Sequence, residues 1–359
     1  MPLTLGLPSL AALLLVPLSL LLEYAAGAGP IWIFLSAAAA VAVLADWVRR
    51  ATEQIAERAG SAIGGLLNVS FGSIAELVLA LFVLVEGHAA VVQAQITGSI
   101  IGTTLLGLGL AILVGGLNHE RQRFNQANAG QLSTMLILVV IALMLPAVFD
   151  LTEHRMVGSP AVAIADERLS LGVAAVLLAL YGANLIYTLV THRDVFADEE
   201  SRGHSTWSLG RALAVLIGGT MLIAWEAELV SGTLEAASRQ LHLSQTFLGV
   251  VVLALVGTAA DLFAAVVFAR QDRMSIVLSI CIGSAIQMAL VVAPLLVLAS
   301  WILGHPMNLV FGNPLDLLAI GGTAFAVRAI TADGETTWFE GLLLVGVYVL
   351  MAMAFFFVG

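Results

Sequence analysis

Two five-residue segments carry the chemistry in this chain: Gly72-Ser73-Ile74-Ala75-Glu76 and Gly257-Thr258-Ala259-Ala260-Asp261, each acid followed by leucine. Both lie inside long apolar runs, 185 residues apart (261 − 76). The offset holds downstream, where Gly98-Ser99 matches Gly283-Ser284. A carboxylate at the centre of a membrane helix costs about 2.5–3.5 kcal/mol on insertion scales. Two of them at matching positions of two halves predict an ion-binding site at a repeat interface. Within each segment the glycine and the hydroxyl residue sit four and three positions before the acid, on one helix face. Gly72 and Gly257 let another backbone come close, Ser73 and Thr258 offer hydroxyl oxygens, and Glu76 and Asp261 supply charge. Where the two faces meet, they make an all-oxygen cage. Such ligands suit hard cations, above all Ca²⁺ with its roughly six to eight oxygen ligands, so Glu76 and Asp261 are the expected metal ligands.

The same pair explains coupling to protons. Two carboxylates in a dry site resist being ionised together, so they are neutralised by protons or by a metal in turn. That mutual exclusion is what antiport requires. Other polar residues are expected to support the site. Gln93 and Gln287, with Ser99 and Ser284, are assigned to gating or to the surroundings of the ligands, and Gln95 is polar in the same stretch. Interhelical hydrogen bonding accounts equally well for the glutamines, and small residues at Gly98–Gly102 read as a packing face. Glu226, Glu228 and Glu235 follow one apolar run, and Glu228 and Glu235, seven apart, share a face. They either line an outer path that attracts cations or sit at the membrane interface, as Asp316 is expected to do.

These residues need a membrane scaffold. The chain is 60% hydrophobic with only 11% charged residues, and its mean hydropathy is +1.03. That composition belongs to integral membrane proteins. The net charge of −10 comes with no basic patch, which speaks against nucleic acid. The single Cys281 excludes an intramolecular disulfide and a cysteine–zinc cluster. No nucleophile triad or metal-hydrolase spacing supports an enzyme, and no cofactor is called for. The bilayer is the expected environment, and a homo-oligomer is compatible with it.

Apolar runs predict an all-α protein of eleven spans: Leu7–Tyr24, Pro30–Trp47, Ile63–Val85, Ala89–Leu117, Leu132–Phe149, Leu169–Val190, Leu209–Leu229, Thr246–Phe268, Ile276–Leu303, Leu309–Val327 and Phe339–Val358. The first lacks a basic flank and a cleavage site, so it reads as a helix and not as a signal peptide. Arginine orients the bundle. Arg49, Arg50, Arg58, Arg121, Arg123, Arg193, Arg202, Arg211, Arg270, Arg273 and Arg328 fall in loops on one side, against Arg155, Arg168 and Arg239 on the other. The N-terminus is therefore expected in the cytoplasm. The two acidic spans then run in opposite directions. Residues 1–29 become an extra N-terminal helix, 30–193 and 207–359 two inverted five-helix repeats, and 194–206 an acidic cytoplasmic linker.

At these residues the chain resembles the calcium/proton exchanger (CAX) family of the cation/Ca²⁺ exchanger superfamily. The stretches that carry the likeness are Gly65–Leu77, Gln93 with Gly98-Ser99-Ile100, Arg123-Phe124-Asn125, Gly257–Ala269, Gly283-Ser284 with Gln287, and Trp338-Phe339-Glu340-Gly341. The resemblance implies a Ca²⁺/H⁺ antiporter whose two signature acids, here Glu76 and Asp261, bind calcium and protons alternately. It also implies that Gln93 and Gln287 help gate access. The chain departs from the family at four places: the signature Asn is Ser73 and Thr258, the second acid is Asp261 and not Glu, and the following His is Leu262. These departures leave open an exchanger of Na⁺ or K⁺ for H⁺ on the same site, or a transport-inactive scaffold. The short N-terminal segment fits a prokaryotic plasma (inner) membrane better than a vacuole.

Overall fold

The computed structural model describes residues 13–25, 27–117, 119–156, 160–187 and 207–358. Its helices, numbered in chain order, are α1 (Leu15–Tyr24), α2 (Pro30–Phe71), α3 (Ile74–Val85), α4 (Ala89–Gly116), α5 (Gln126–Met156), α6 (Pro160–Ile186), α7 (Leu209–Leu241), α8 (Gln245–Ala269), α9 (Met274–Leu303), α10 (Pro314–Ile330) and α11 (Trp338–Val358). All but α1, α3 and α10 contain a stretch long and apolar enough to cross a bilayer unaided. Large apolar side chains such as Leu180, Phe325 and Phe357 point outward, as they do where lipid replaces water. The chain is an integral membrane protein of many passes.

Two expectations needed correction. The arginine-bearing loop after Trp47 is helix: α2 continues to Phe71 and carries Arg49, Arg50 and Arg58 with it. Asp46 pairs with Arg49 at 3.1 Å and with Arg50 at 2.7 Å, and Arg49 also bonds Glu53 one turn on. Ion pairs at these spacings lie along one helix face and carry the helix past the point where its apolar run stops. The expected single span Ile63–Val85 is broken instead. Helix α2 stops at Phe71, Gly72 and Ser73 turn, and α3 starts at Ile74. Residues 7–12 of the first expected span, and Arg193, Arg202 and the linker 194–206, lie outside the described residues.

The core is in two parts. The larger is built around α4 and α9, whose spanning stretches are the most buried of all, with α8 and α10 against them. The smaller joins α1, α2 and the first half of α7 through Val41, Leu44, Trp47, Trp207 and Leu216. Helix α4 turns π-helical over Gly102–Gly107, and α9 does so over Met288–Val292, in each case just past the Gly-Ser pair. Such wide turns within helices concentrate at functional sites.

Connections gather at two ends. At one end Arg58 bonds the Trp207 carbonyl, and Gln122–Arg123 pairs antiparallel with Glu335–Thr336. Beside that ribbon, Asn125 N donates to Ser275 Oγ at 3.1 Å. At the other end, Gln93 Nε2 donates to the Asn308 carbonyl at 2.8 Å, and Leu309 N donates to Ser170 Oγ at 3.0 Å. Helix starts are fixed by their own residues. Ser208 caps α7, Asn313 precedes Pro314 at α10, and Glu340 Oε2 accepts from Thr337 N at 2.7 Å to cap α11. The Trp338–Gly341 stretch thus begins a helix.

Candidate ion-binding site

The break between α2 and α3 places Glu76 in the first turn of α3, near the positive end of that helix. Glu76 is 2% exposed, and neither carboxylate oxygen makes a hydrogen bond of normal geometry. Its polar neighbours are the hydroxyls of Ser73 and Ser99, and the charge of Asp261 acts on it directly. Ser73, at the junction, does not cap α3; its hydroxyl donates to Gln287 Oε1 at 3.1 Å. A buried acid with no partner is too costly to keep as packing, since one unsatisfied charged group costs several kcal/mol.

Helix α8 brings the second acid. Gly257 makes the approach possible: a Cβ built there would meet Glu76 Cγ at 2.8 Å, closer than real Cβ atoms come. One turn later Asp261 stands half-buried, with Ser284 of α9 beside it. Thr258 is buried, and its hydroxyl donates to the Ala254 carbonyl at 2.8 Å, which leaves oxygen lone pairs as its only free valence. The structure therefore brings Glu76, Asp261, Ser73, Thr258, Gly72, Gly257, Ser99, Ser284 and Gln287 to one region. Among the described residues no three His, Cys, Asp or Glu side chains meet. Two carboxylates with neutral oxygens around them are the donor types that suit a hard cation.

A cavity of about 380 Å³ reaches the site from one end of the bundle. It is lined by Arg49, Glu53, Gly72, Asp261, Phe268, Ile276, Ser279, Ile280, Gly283, Ser284 and Gln287. Phe268 and Ile276 flank the α8–α9 turn, so the cavity opens at the end that holds Arg270 and Arg273. The matching residues of the other half are shut. A Cβ at Gly98 would meet the Val250 carbonyl oxygen at 2.0 Å, whereas one at Gly283 would meet nothing within 4 Å. Packing is thus the role of Gly98 in this conformation, and access that of Gly283.

Other expected residues fall elsewhere. Gln93 is tied to Asn308 and Val310 in the α9–α10 connection, away from the carboxylates. Gln95 takes the position near them, its Nε2 donating to the Glu76 carbonyl at 3.5 Å. Glu228 and Glu235 are exposed on α7 and do not line the cavity, and Glu235 pairs with Arg239. Glu226, on the same helix, is buried and accepts from Ser19 Oγ at 2.7 Å. Asp316, expected at the interface, is buried. Arg49 and Glu53 also line the cavity, although both lie beyond the apolar run that ends at Trp47. The acid–base spacing from Asp46 to Glu53 was the available signal for helix.

Known proteins resemble this chain in sequence and in fold. A family model described as sodium/calcium exchanger protein matches residues 29–190 and 211–357. A Ca²⁺/H⁺ antiporter of Aphanothece halophytica is 37% identical over 96% of this chain and 95% of its own. The Ca²⁺/H⁺ antiporter ChaA of Bacillus subtilis (strain 168) is 37% identical over 88% of this chain and 89% of its own. Among solved structures, native YfkE superposes with a TM-score of 0.83 at 33% identity, covering 97% of this chain and 99% of that one. The H⁺/Ca²⁺ exchanger CAX shares the fold, with a TM-score of 0.73 at 15% identity over 98% of this chain and 92% of that one. A family match across both halves, with relatives above 30% identity along nearly the full length, places the chain in the sodium/calcium exchanger protein family.

Proposed function

We infer that this protein is an antiporter that exchanges Ca²⁺ for H⁺, with Glu76 and Asp261 holding the metal and the protons in turn. The observation that carries this reading is the buried Glu76 carboxylate, without a hydrogen-bond partner, beside Asp261 at the head of an open cavity. Relatives that match this chain almost end to end are named Ca²⁺/H⁺ antiporters. With Glu76 buried and Asp261 half-buried beside it, the two acids are neutralised either by a divalent cation or by protons. Ser73, Thr258, Ser99 and Ser284 supply neutral oxygens around them, and Gln287 orients Ser73.

Alternating access follows from the two halves. The reading has eleven spans: an extra helix in residues 1–29, five helices in 30–193 and five inverted in 207–359, joined by 194–206. Matched π-turns in α4 and α9 support it, as do a family match in two blocks and connections that alternate between two ends. The cavity beside Gly283 with packing around Gly98 is one of the two asymmetric states such a repeat can take. With the arginine-rich end in the cytoplasm of a prokaryotic cell, this state faces inward and the N-terminus is cytoplasmic.

A second reading, exchange of Na⁺ or K⁺ for H⁺, is favoured by Asp261 and Thr258, which offer a shorter acid and a hydroxyl committed to its own helix. Proton flux in proteoliposomes carrying a pH gradient, with Ca²⁺, Na⁺ or K⁺ added in turn, decides between them. Calcium-driven flux that saturates and is abolished in Glu76→Gln is the expected outcome. A response to Na⁺ or K⁺ alone would install the second reading, and silence toward all three in folded protein would leave a transport-inactive scaffold.

A further inference from the structure

Arg49 stands in the cavity that leads to the proposed transport site, where a metal-ion pathway would be expected to carry only negative and neutral groups. Its side chain and Asp261 line the same space, and their charges act on each other. The guanidinium is held on its own helix by two carboxylates, Asp46 at 3.1 Å and Glu53 one turn further on. Its Nε is closed off from solvent and makes no hydrogen bond, so the group is not locked by a full set of partners. Glu53 also lines the cavity; Asp46 does not. The cavity thus carries one positive charge, from Arg49, among the two acids Glu53 and Asp261.

We propose that Arg49 is a built-in counter-charge of the transport site, offsetting part of the negative charge of Asp261 across the cavity while Asp46 and Glu53 hold it back on its own helix. The inference rests on the reading of Glu76 and Asp261 as the transported ion's ligands. A cation approaching Asp261 meets a like charge, and at cavity distances and intermediate dielectric that repulsion lowers affinity. Arg49 therefore sets how tightly the open cavity takes the ion. Without it, the negative charge of Glu53 and Asp261 on the same cavity would hold an entering divalent cation more tightly than release allows. An arginine suits this task because its charge is permanent and its planar fork can move between carboxylates.

The test is calcium-dependent proton flux in proteoliposomes for wild type, Arg49→Gln, Arg49→Lys and Asp46→Asn, each checked for a monodisperse peak in detergent. Removing the charge in Arg49→Gln should lower the KM for Ca²⁺ roughly tenfold without raising kcat. Arg49→Lys, which keeps the charge, should restore a KM near wild type. Asp46→Asn releases Arg49 from one of the acids that hold it back and should raise the KM. This variant tests the idea from outside the cavity even where Arg49→Gln does not fold. An unchanged or raised KM in Arg49→Gln, or an unchanged or lowered KM in Asp46→Asn, would overturn the proposal. Silence of the wild type toward Ca²⁺ is a separate result, because it removes the transport reading itself.

Discussion

In the proposed exchange Glu76 carries the charge, and Gly257 makes room for its side chain. The two helices touch where Gly257 faces the Glu76 side chain, and a methyl group there would have to occupy space the carboxylate stem already fills. Gly257→Ala is expected to cut calcium-driven proton flux by about tenfold or more while costing only about 1–3 kcal/mol of stability, the usual range for overpacking. Flux and thermal unfolding measured on the same preparation check this. Gly232→Ala, where a Cβ meets nothing within 4 Å, serves as the control and should leave both unchanged. The departures at Thr258 and Asp261 have their own test. Asp261→Glu combined with Thr258→Asn lengthens one ligand and adds an amide oxygen, which should shift preference toward Ca²⁺ over Na⁺ in competition flux. Unchanged selectivity would mean that the hydroxyl and the short acid are neutral replacements.

At the scale of elements, the site depends on where helices stop. The end of α2 at Phe71 and the start of α3 at Ile74 put Glu76 within one turn of a helix N-terminus and leave Ser73 free to reach Gln287. An unbroken helix would commit the same backbone to itself. Helix α8, by contrast, runs through Gly257-Thr258 without a break, so the two matched motifs are not built alike. Caps far from the site stabilise the scaffold without touching the chemistry. Glu340 accepts bonds from Thr336 and Thr337 at the start of α11, and Glu340→Ala removes that cap. The expected cost is about 1 kcal/mol, seen as a lower Tm, with calcium-driven flux at permissive temperature retained. Loss of flux without loss of stability would mean that Glu340 does more than begin a helix.

The whole molecule is asymmetric in a way that its repeated motifs are not. Ser279 is exposed on the cavity, whereas Ala94, its counterpart at the 185-residue offset (279 − 94), is buried against Gly249 of α8. In a background where Cys281 is replaced by alanine, Ser279→Cys should react with a membrane-impermeant thiol reagent applied from the arginine-rich side. Ala94→Cys should stay protected from both sides while this state prevails. Equal labelling of the two would mean that the cavity does not report one-sided access. A state open to the other side requires α4 and α8 to part at Gly98 and Gly249, where their backbones now pack closely.

Much of this was legible in the amino-acid order, because hydropathy and intramembrane charge are properties that local sequence states outright. Run length marked the helices, and the two acids at a fixed offset pointed to the region where the fold brings them together. The positions of Ser99 and Ser284 followed from the same offset, and each stands beside the acid of its own half. Other features depended on which helices touch. Arg49 and Glu53 look like the edge of a loop until i, i+3 and i, i+4 ion pairs extend α2 and packing turns them toward Asp261. Gln93 and Gln95 are two residues apart and equally polar, yet only Gln95 reaches Glu76, because neighbours at that spacing point to different sides of a helix. Glu228 and Glu235 had the right charge for a cation path but face outward on α7. Spacing within one helix is local and can be read along the chain; which face meets which neighbour is a balance of packing across the bundle, and only the tertiary structure decides it.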